Sequence, residues 1–276
     1  MAFTITLLNC FRMKHPRLYL LDVEGTLAPC SLTSEQLYPY ARAHFESFVR
    51  QGIAALEEKG GNLEPSDLAA GSLFQDLALL QAENHAETYP EAPRILPHRS
   101  LAFQRTDREP SDAIPDILAY INWLMNRENN SVALKSLQGK IWKAGFESGE
   151  LKGTLFEDVP RAFARWSAEG RIAIYSSGSI SAQQEFFRHS IFGNLTGFIS
   201  AYFDTRIGLK NEASSYAAIA AEMQVDPPEA CFFSDSPREL YAAQAAGMET
   251  RLVCRPGNAA ISACDQLAIE SLDDAL

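Results

Sequence analysis

The spacing of apolar residues divides the chain into a helical stretch and a stretch where strands and helices alternate. In the first stretch, three groups of apolar residues recur three or four positions apart, as on one face of a helix. These groups are Leu37, Ala41, Phe45 and Phe48; then Leu68, Leu73, Leu77 and Leu80; then Ile117, Ile121, Leu124 and Met125. Between them, residues 84–115 are rich in Pro, Arg, His and Glu, which predicts a long irregular connection.

Short apolar runs indicate strands before and after this helical stretch. The run Leu18–Leu21 predicts one buried strand. After residue 157, strands are predicted at 171–175, near 201–203, at 230–233 and at 250–254. One helix is predicted at 158–170, where Asp158 would be the cap, and the next runs through Gln183 to His189. Two more are predicted at about 213–223 and at 237–246. This alternation is typical of a parallel sheet with helices on both faces.

We therefore predict an α/β fold, a Rossmann-like parallel sheet core with an inserted all-helical domain. Residues 18–30 and 158–276 would form the core, and residues 31–157 the helical insertion. Residues 1–17 would be an N-terminal extension, of which residues 1–12 are either a loose segment or precede a start at Met13. In open parallel sheets, binding sites lie beyond the carboxyl ends of the strands.

Composition and charge narrow the possible partners. The 276 residues carry a formal net charge of -11, without the basic face that is typical of nucleic-acid binders. No apolar run approaches the roughly 20 residues needed to cross a bilayer, so we expect no membrane association. The five cysteines form no CxxC pair, which fits a reducing compartment and argues against a zinc site. We expect a cytoplasmic monomer.

Candidate chemistry follows four of the predicted strands. Asp22 and Glu24 end the first strand one residue apart, and two such carboxylates persist when a cation or a shared proton offsets their repulsion. Ser176 and Ser177 follow the second strand and could bind a phosphate or cap a helix. Lys210 precedes a helix, and could neutralise phosphate or be a solvated surface residue. Asp235 follows the fourth strand and could bind Mg²⁺ or cap a helix.

The order of these residues resembles the motif set of the haloacid dehalogenase-like phosphohydrolases, whose helical cap the insertion matches. Within that superfamily, eight segments over residues 18–258 resemble the enolase-phosphatase, or acireductone synthase, family, whereas residues 50–130 diverge. The segments are DVEGT (22–26), PYAR (39–42), LKSLQGKIW (134–142), ESGELKG (147–153), YSSGSISAQ (175–183), YFDTRIGLK (202–210), SDSPREL (234–240) and RPGN (255–258).

The resemblance implies a Mg²⁺-dependent enzyme of methionine salvage. Its substrate would be a small phosphorylated diketone, 2,3-diketo-5-methylthiopentyl-1-phosphate, which is enolised and then dephosphorylated to acireductone. The implied Mg²⁺ ligands are Asp22, Glu24 and Asp235, and the implied substrate-binding residues are Ser176, Ser177 and Lys210. Asp22 would be the nucleophile, Glu24 is a candidate base for enolisation, and Lys210 would also be catalytic by offsetting the charge of the transferring group.

Two other functions stay open at this point. One is a general small-molecule phosphatase of the same superfamily without enolase activity. The other is a phosphate-binding regulatory protein that has lost turnover, which the presence of Asp22, Glu24, Lys210 and Asp235 disfavours. The helical insertion is also predicted to close over the site as a lid, with hinges near residues 27–33 and 149–157. The role of Glu239, four residues after Asp235, is left open.

Overall fold

The computed structural model describes residues 15–58, 71–96, 110–127, 131–259 and 265–275. The predicted N-terminal extension therefore lies mostly outside the described residues, and so does Leu68. Within the described ranges, no helix combines the length and the apolar character that a membrane crossing needs.

Contacts divide the chain into two compact units. The first comprises residues 1–30, 154–183 and 192–276, and the second comprises residues 31–153 and 184–191. The helical insertion thus interrupts the first unit after its first strand.

The first unit contains a parallel sheet. Its strands are β1 (Leu18–Leu21), β2 (Arg171–Tyr175), β3 (Ile199–Phe203), β4 (Ala230–Ser234), β5 (Glu249–Val253) and β6 (Ala268–Ile269). Over the described residues the six strands are ordered β3-β2-β1-β4-β5-β6, all parallel. The predicted fold class is confirmed, although the two-residue strand β6 was not predicted.

In the sheet, β1 lies between β2 and β4. Leu18 pairs with Arg171 on one side and with Ala230 on the other. The strand order reverses at this point, which is where ligands bind in open parallel sheets. The residues that follow β1, β2 and β4 therefore lie side by side at one edge of the sheet.

Helices of the first unit connect these strands. They are α5 (Val159–Glu169), α6 (Ile180–Arg188, which continues into the second unit), α7 (Ala213–Glu222) and α8 (Pro237–Ala245). On one face of the sheet, Trp166 of α5 is fully buried and stacks on Tyr19 at 4.8 Å between ring centroids. On the other face, Tyr216 and Ile219 of α7 pack with Phe232 of β4. Burial of these large side chains anchors the helices to the strands.

The described part of the second unit is mainly helical. We label its helices α1 (Tyr38–Glu58), α2 (Leu73–Ala86), α3 (Ile114–Asn126) and α4 (Val132–Ser148). Their shared core includes Phe45, Leu77, Ile121 and Leu137, which come from the four helices in turn. The periodic apolar residues of the sequence at positions 41, 45, 77, 80, 117, 121 and 124 are all buried.

The N-terminus of α4 shows how side chains fix a helix boundary in this unit. Ser131 accepts a hydrogen bond from the Leu134 N–H. The Glu83 carboxylate, on α2, accepts from the Ser131 hydroxyl and from the N–H groups of Val132 and Ala133. These bonds satisfy N–H groups that have no partner within a helix.

One sequence-based expectation is wrong. Asp158 precedes α5, but its side chain makes no capping hydrogen bond to that helix. Its carboxylate instead binds Arg255 through two hydrogen bonds, of 2.7 and 3.0 Å. The Arg255 guanidinium donates two charge-assisted hydrogen bonds to the Asp158 carboxylate. These are stronger than the single capping hydrogen bond that a backbone N–H at the start of α5 would donate.

Candidate active site

The loop after β1 places Asp22 at the carboxyl ends of the parallel strands. The Asp22 N–H still donates to the Phe233 carbonyl of β4 at 3.0 Å, so the residue continues the sheet hydrogen bonding, and it is only 6 % exposed. The chain then turns tightly, because the Val23 carbonyl accepts from the N–H groups of both Leu27 and Ala28 at 2.8 Å. This turn carries Glu24.

Gly25 is required at this turn for two reasons. Its φ of +75° lies in the left-handed region that residues with a Cβ rarely adopt. In addition, a Cβ atom at this position would collide with the carboxylate of Asp235. The backbone of the Asp22–Gly25 turn and the Asp235 side chain are therefore in direct contact.

Lys210 joins two carboxylates at the same edge. Its Nζ lies 2.5 Å from Oδ1 of Asp22 and 2.7 Å from Oε2 of Glu239. Burial alone would lower the pKa of Lys210, but the two carboxylates outweigh it and raise the pKa above its ordinary value. The side chain is therefore a fixed ammonium at pH 7, not a solvated surface lysine.

Glu239 is the residue whose role the sequence left open. It lies in the first turn of α8 and accepts a hydrogen bond from the Ser234 hydroxyl at 3.1 Å, besides contacting Lys210. Burial, and then repulsion by Asp22, raise the pKa of Glu239 above its ordinary value. Its place in the sequence was a usable signal, because the first turn of the helix that follows β4 begins at the same ends of the strands as Asp235.

Asp235 follows β4 and faces other acidic groups. Burial and the charges of Asp22 and Glu24 together raise the pKa of Asp235 to about 6, against the opposing charge of Lys210. The three predicted metal ligands are thus close enough to repel one another, and Asp235 lies against the turn that carries the other two.

Hard divalent cations prefer oxygen donors, and these carboxylates are donors of that type. Among the residues that the structure describes, however, no three His, Cys, Asp or Glu side chains meet with the spacing of a metal site. The donor chemistry and the mutual repulsion fit a cation such as Mg²⁺, and the ligand set Asp22, Glu24 and Asp235 stays a prediction.

The loop after β2 carries Ser176 and Ser177. The Ser176 N–H donates to the Phe203 carbonyl of β3 at 3.1 Å, and its Oγ accepts from the Gly178 N–H at 3.4 Å. Ser177 is exposed to solvent. The capping alternative is realised next to them, since Ser179 accepts from the Ala182 N–H at 3.3 Å and caps α6.

The Gln183 side chain connects this serine loop to the end of β3. Its amide Nε2 donates to the Gly178 carbonyl at 2.7 Å and to the Phe203 carbonyl at 2.9 Å. The loop is therefore fixed against the end of β3. Whether Ser176 and Ser177 bind substrate stays a prediction, since the structure places them beside the Asp22 strand without a contact that tests it.

The loop after β5 supports the Asp22 turn. The Asn258 side chain donates to the Gly25 carbonyl at 2.9 Å, and the Arg255 Nε donates to the Thr26 carbonyl at 3.0 Å. Both side chains of this RPGN segment bind backbone carbonyls of the turn, so the segment has a structural role.

Comparisons with known proteins agree with these features. The family model of the haloacid dehalogenase-like hydrolases matches residues 16–247. Enolase-phosphatase E1 of Synechococcus elongatus is 43 % identical over 256 residues, which cover 92 % of this chain and 95 % of the relative. Enolase-phosphatase E1 of Drosophila melanogaster is 35 % identical over 260 residues, covering 94 % and 91 %.

Solved structures resemble the fold as well. The UTR4 protein of Saccharomyces cerevisiae aligns with a TM-score of 0.68 at 27 % identity, covering 93 % of this chain and 98 % of that one. The CbbY protein of Rhodobacter sphaeroides, crystallised with phosphate, aligns with a TM-score of 0.50 at 15 % identity, which speaks for the fold alone.

Proposed function

Since the chain belongs to the haloacid dehalogenase-like hydrolases and, within them, to the enolase-phosphatases, we propose that it converts 2,3-diketo-5-methylthiopentyl-1-phosphate to acireductone and phosphate. This reaction would serve methionine salvage. The observation that carries the proposal is the 2.5 Å contact between Lys210 Nζ and Asp22 Oδ1 at a parallel strand end. It pairs a nucleophile with a cation able to offset phosphate charge.

Phosphoryl transfer follows from this pair. Lys210 holds Oδ1 of Asp22, and we assign Oδ2 to attack the phosphorus atom. The new O–P bond forms as the bond between phosphorus and the C1 oxygen breaks, and that oxygen takes a proton from solvent, to which the later hydrolysis step returns one. Water next hydrolyses the aspartyl-phosphate, which releases phosphate and restores the carboxylate. The Lys210 ammonium offsets the negative charge of the transferring group throughout.

Enolisation requires a base beside an acidic C–H and an electrophile at the carbonyl. Glu24 is the candidate base, because its carboxylate is carried by the same turn as the nucleophile. The proposed Mg²⁺ ligands are Asp22, Glu24 and Asp235. When bound, the ion would polarise the substrate carbonyl and offset phosphate charge.

Ser176 and Ser177 are proposed to bind the substrate phosphate with Lys210. Their loop follows β2, which is the neighbour of β1 in the sheet, and its N–H groups lie near the start of α6. Helix starts bind anions through such groups.

The test is to incubate the purified protein with the diketone phosphate and Mg²⁺ and to follow enol absorbance and free phosphate together. We expect both signals to rise. Phosphate release from simple esters without any enol signal would instead identify a general phosphatase of the superfamily. No phosphate release from any ester would indicate a binding protein.

A further inference from the structure

Three hydroxyl groups bind three successive carbonyls of the segment that ends in Lys210. The Tyr175 hydroxyl donates to the Gly208 carbonyl at 2.9 Å. The Ser215 hydroxyl donates to the Leu209 carbonyl at 2.8 Å, and the Tyr216 hydroxyl donates to the Lys210 carbonyl at 2.7 Å. We call Tyr175, Ser215 and Tyr216 the hydroxyl clamp.

The hydroxyl clamp is rigid because of where its members lie. Tyr175 is the last residue of β2, and Ser215 and Tyr216 are in the first turn of α7, and all three are buried. The two tyrosine rings also contact each other edge to face, with centroids 5.5 Å apart. Buried side chains in such packing have little rotational freedom, so their hydroxyls are fixed in space.

Gly208 allows the segment to approach the clamp. Its φ of +144° favours glycine, and a Cβ atom there would collide with Oγ of Ser215. The backbone therefore lies directly on the serine hydroxyl. Burial raises the pKa of both Tyr175 and Tyr216, so both hydroxyls keep their protons and stay donors at neutral pH.

We propose that Tyr175, Ser215 and Tyr216 are positioning residues that hold the Gly208–Lys210 backbone so that the Lys210 ammonium is placed on Asp22 before substrate binds. This inference rests on the proposed function, because it assigns the three hydroxyls a role in the phosphoryl transfer that Lys210 assists. None of them needs to contact substrate.

The physical reason is the flexibility of lysine. A lysine side chain has four rotatable bonds, and it can place its ammonium accurately only when its backbone is fixed. An exposed loop is mobile by default. Three hydrogen bonds to consecutive carbonyls restrict the backbone at Lys210. The Lys210 ammonium then needs no reorganisation during the reaction.

The first experiment removes the hydroxyls one at a time. Tyr216→Phe, Tyr175→Phe and Ser215→Ala keep the packing almost unchanged, and each should lower kcat by roughly tenfold while KM changes by less than about threefold. Tyr19→Phe is the matched control, since Tyr19 is an equally buried tyrosine of the same unit whose hydroxyl binds Glu169, away from the Lys210 segment. The control should keep the wild-type kcat.

The second experiment asks whether the hydroxyls act through Lys210. In a Lys210→Ala background, Tyr216→Phe should change kcat by less than about twofold, because the group it positions is gone. If turnover of Lys210→Ala is too slow to measure, the same cycle is measured as the dissociation constant of orthovanadate in the presence of Mg²⁺. A tenfold loss that persists without Lys210 would overturn the inference, since it would indicate a general structural effect.

Other results of these experiments also test the positioning role and the proposed function. Wild-type kcat in all three single variants would refute the positioning role, while an active wild-type protein would leave the proposed function standing. A wild-type protein that releases no phosphate would refute the proposed function itself. If Tyr216→Phe fails to fold, Ser215→Ala carries the same test with a smaller change in volume.

Discussion

At the scale of single residues, Asp22 is unusual because its carboxyl group is buried among other acidic groups. It is 6 % exposed and lies near three other carboxyl groups, those of Glu24, Asp235 and Glu239, yet it binds the Lys210 ammonium at 2.5 Å. The Lys210 ammonium offsets part of the repulsion that these carboxyl groups exert on Asp22. A carboxylate beside a fixed ammonium is suited to attack phosphorus.

We expect Asp22→Asn to abolish phosphate release. The amide cannot form an acyl phosphate, and losing the nucleophile should raise the barrier by several kcal/mol, roughly 8 or more if no other group replaces it. Phosphate release and far-UV circular dichroism are measured together, and the fold should be unchanged. Near-normal turnover by a folded Asp22→Asn protein would exclude the mechanism.

Glu24→Asp should separate the two half-reactions. The change keeps the charge but withdraws the carboxylate by about 1.5 Å, one C–C bond. A base must reach within about 3 Å of the proton it takes, so enolisation of the diketone should suffer more than hydrolysis of a simple phosphate ester. The ratio of the two rates, relative to wild type, is the measurement. Equal losses would show that Glu24 serves the metal and that another residue is the base.

Removal of divalent ions should stop both half-reactions. Burial, and then repulsion by the carboxylates of Asp22 and Glu24, raise the pKa of Asp235 to about 6, and a bound Mg²⁺ would relieve that repulsion. Activity is measured after exhaustive chelation and again after Mg²⁺ is restored. Full activity in the chelated protein would show that the ligand assignment is wrong.

At the scale of elements, one buried ion pair connects four segments of the first unit. Arg255 donates to both oxygens of Asp158 and to the carbonyls of Thr26 and Glu270. The Asp158 carboxylate also accepts from the Leu272 N–H at 2.8 Å. The start of α5, the turn after β1, the loop after β5 and the C-terminal segment are thus tied together.

Asp158→Asn should lower the free energy of unfolding at pH 7 by about 3–5 kcal/mol, because it leaves the Arg255 charge buried without its partner. Burial opposes ionisation of Asp158, but the hydrogen bonds from Arg255 and Leu272 prevail, and its pKa lies below the ordinary value. A lowered carboxyl pKa stabilises the fold above the unfolded-state pKa of about 3.9, and that contribution disappears as the pH falls through the folded-state pKa.

Urea unfolding of wild type and Asp158→Asn from pH 7 to pH 3 measures this. The difference between them should shrink below about pH 4. Asp273→Asn is the control, since its ion pair with Arg161 is exposed and its loss should change stability much less. A pH-independent difference would mean that the charge of Asp158 is not what stabilises the pair.

Sequence patterns predicted the elements better than the contacts between them. The helix predicted at 213–223 is Ala213–Glu222, and the strand predicted at 230–233 is Ala230–Ser234, because local periodicity sets both. The Asp158 cap was wrong because Arg255, 97 positions away, decides that interaction. The hydroxyl clamp was missed for the same reason, since Tyr175 and Gly208 meet only after β2 and β3 have paired. Strand β6, with two residues, has no periodic signal.

At the scale of the whole molecule, the chain leaves the first unit after one strand and returns after the 123 residues 31–153, whose described part is mainly helical. Within each unit, a hydrogen bond joins the segment by which the chain leaves the first unit to the segment by which it returns. In the first unit the Phe156 N–H donates to the Leu27 carbonyl at 2.9 Å, and in the second the Gln36 side chain donates to the Lys152 carbonyl at 3.0 Å. Two short paired segments between compact units are typical of a hinge.

The predicted lid motion can be tested without altering the chain. If the helical unit closes during turnover, Mg²⁺ with orthovanadate, a phosphate analogue, should reduce the radius of gyration in solution scattering. A closing step that limits turnover should also make kcat fall as solvent viscosity rises, since domain closure moves solvent whereas bond breaking does not. Mg²⁺ without orthovanadate is the control, and it should leave the radius of gyration unchanged. An unchanged radius of gyration together with a kcat independent of viscosity would refute the lid, and shielding of the enol would then have to come from the core unit itself.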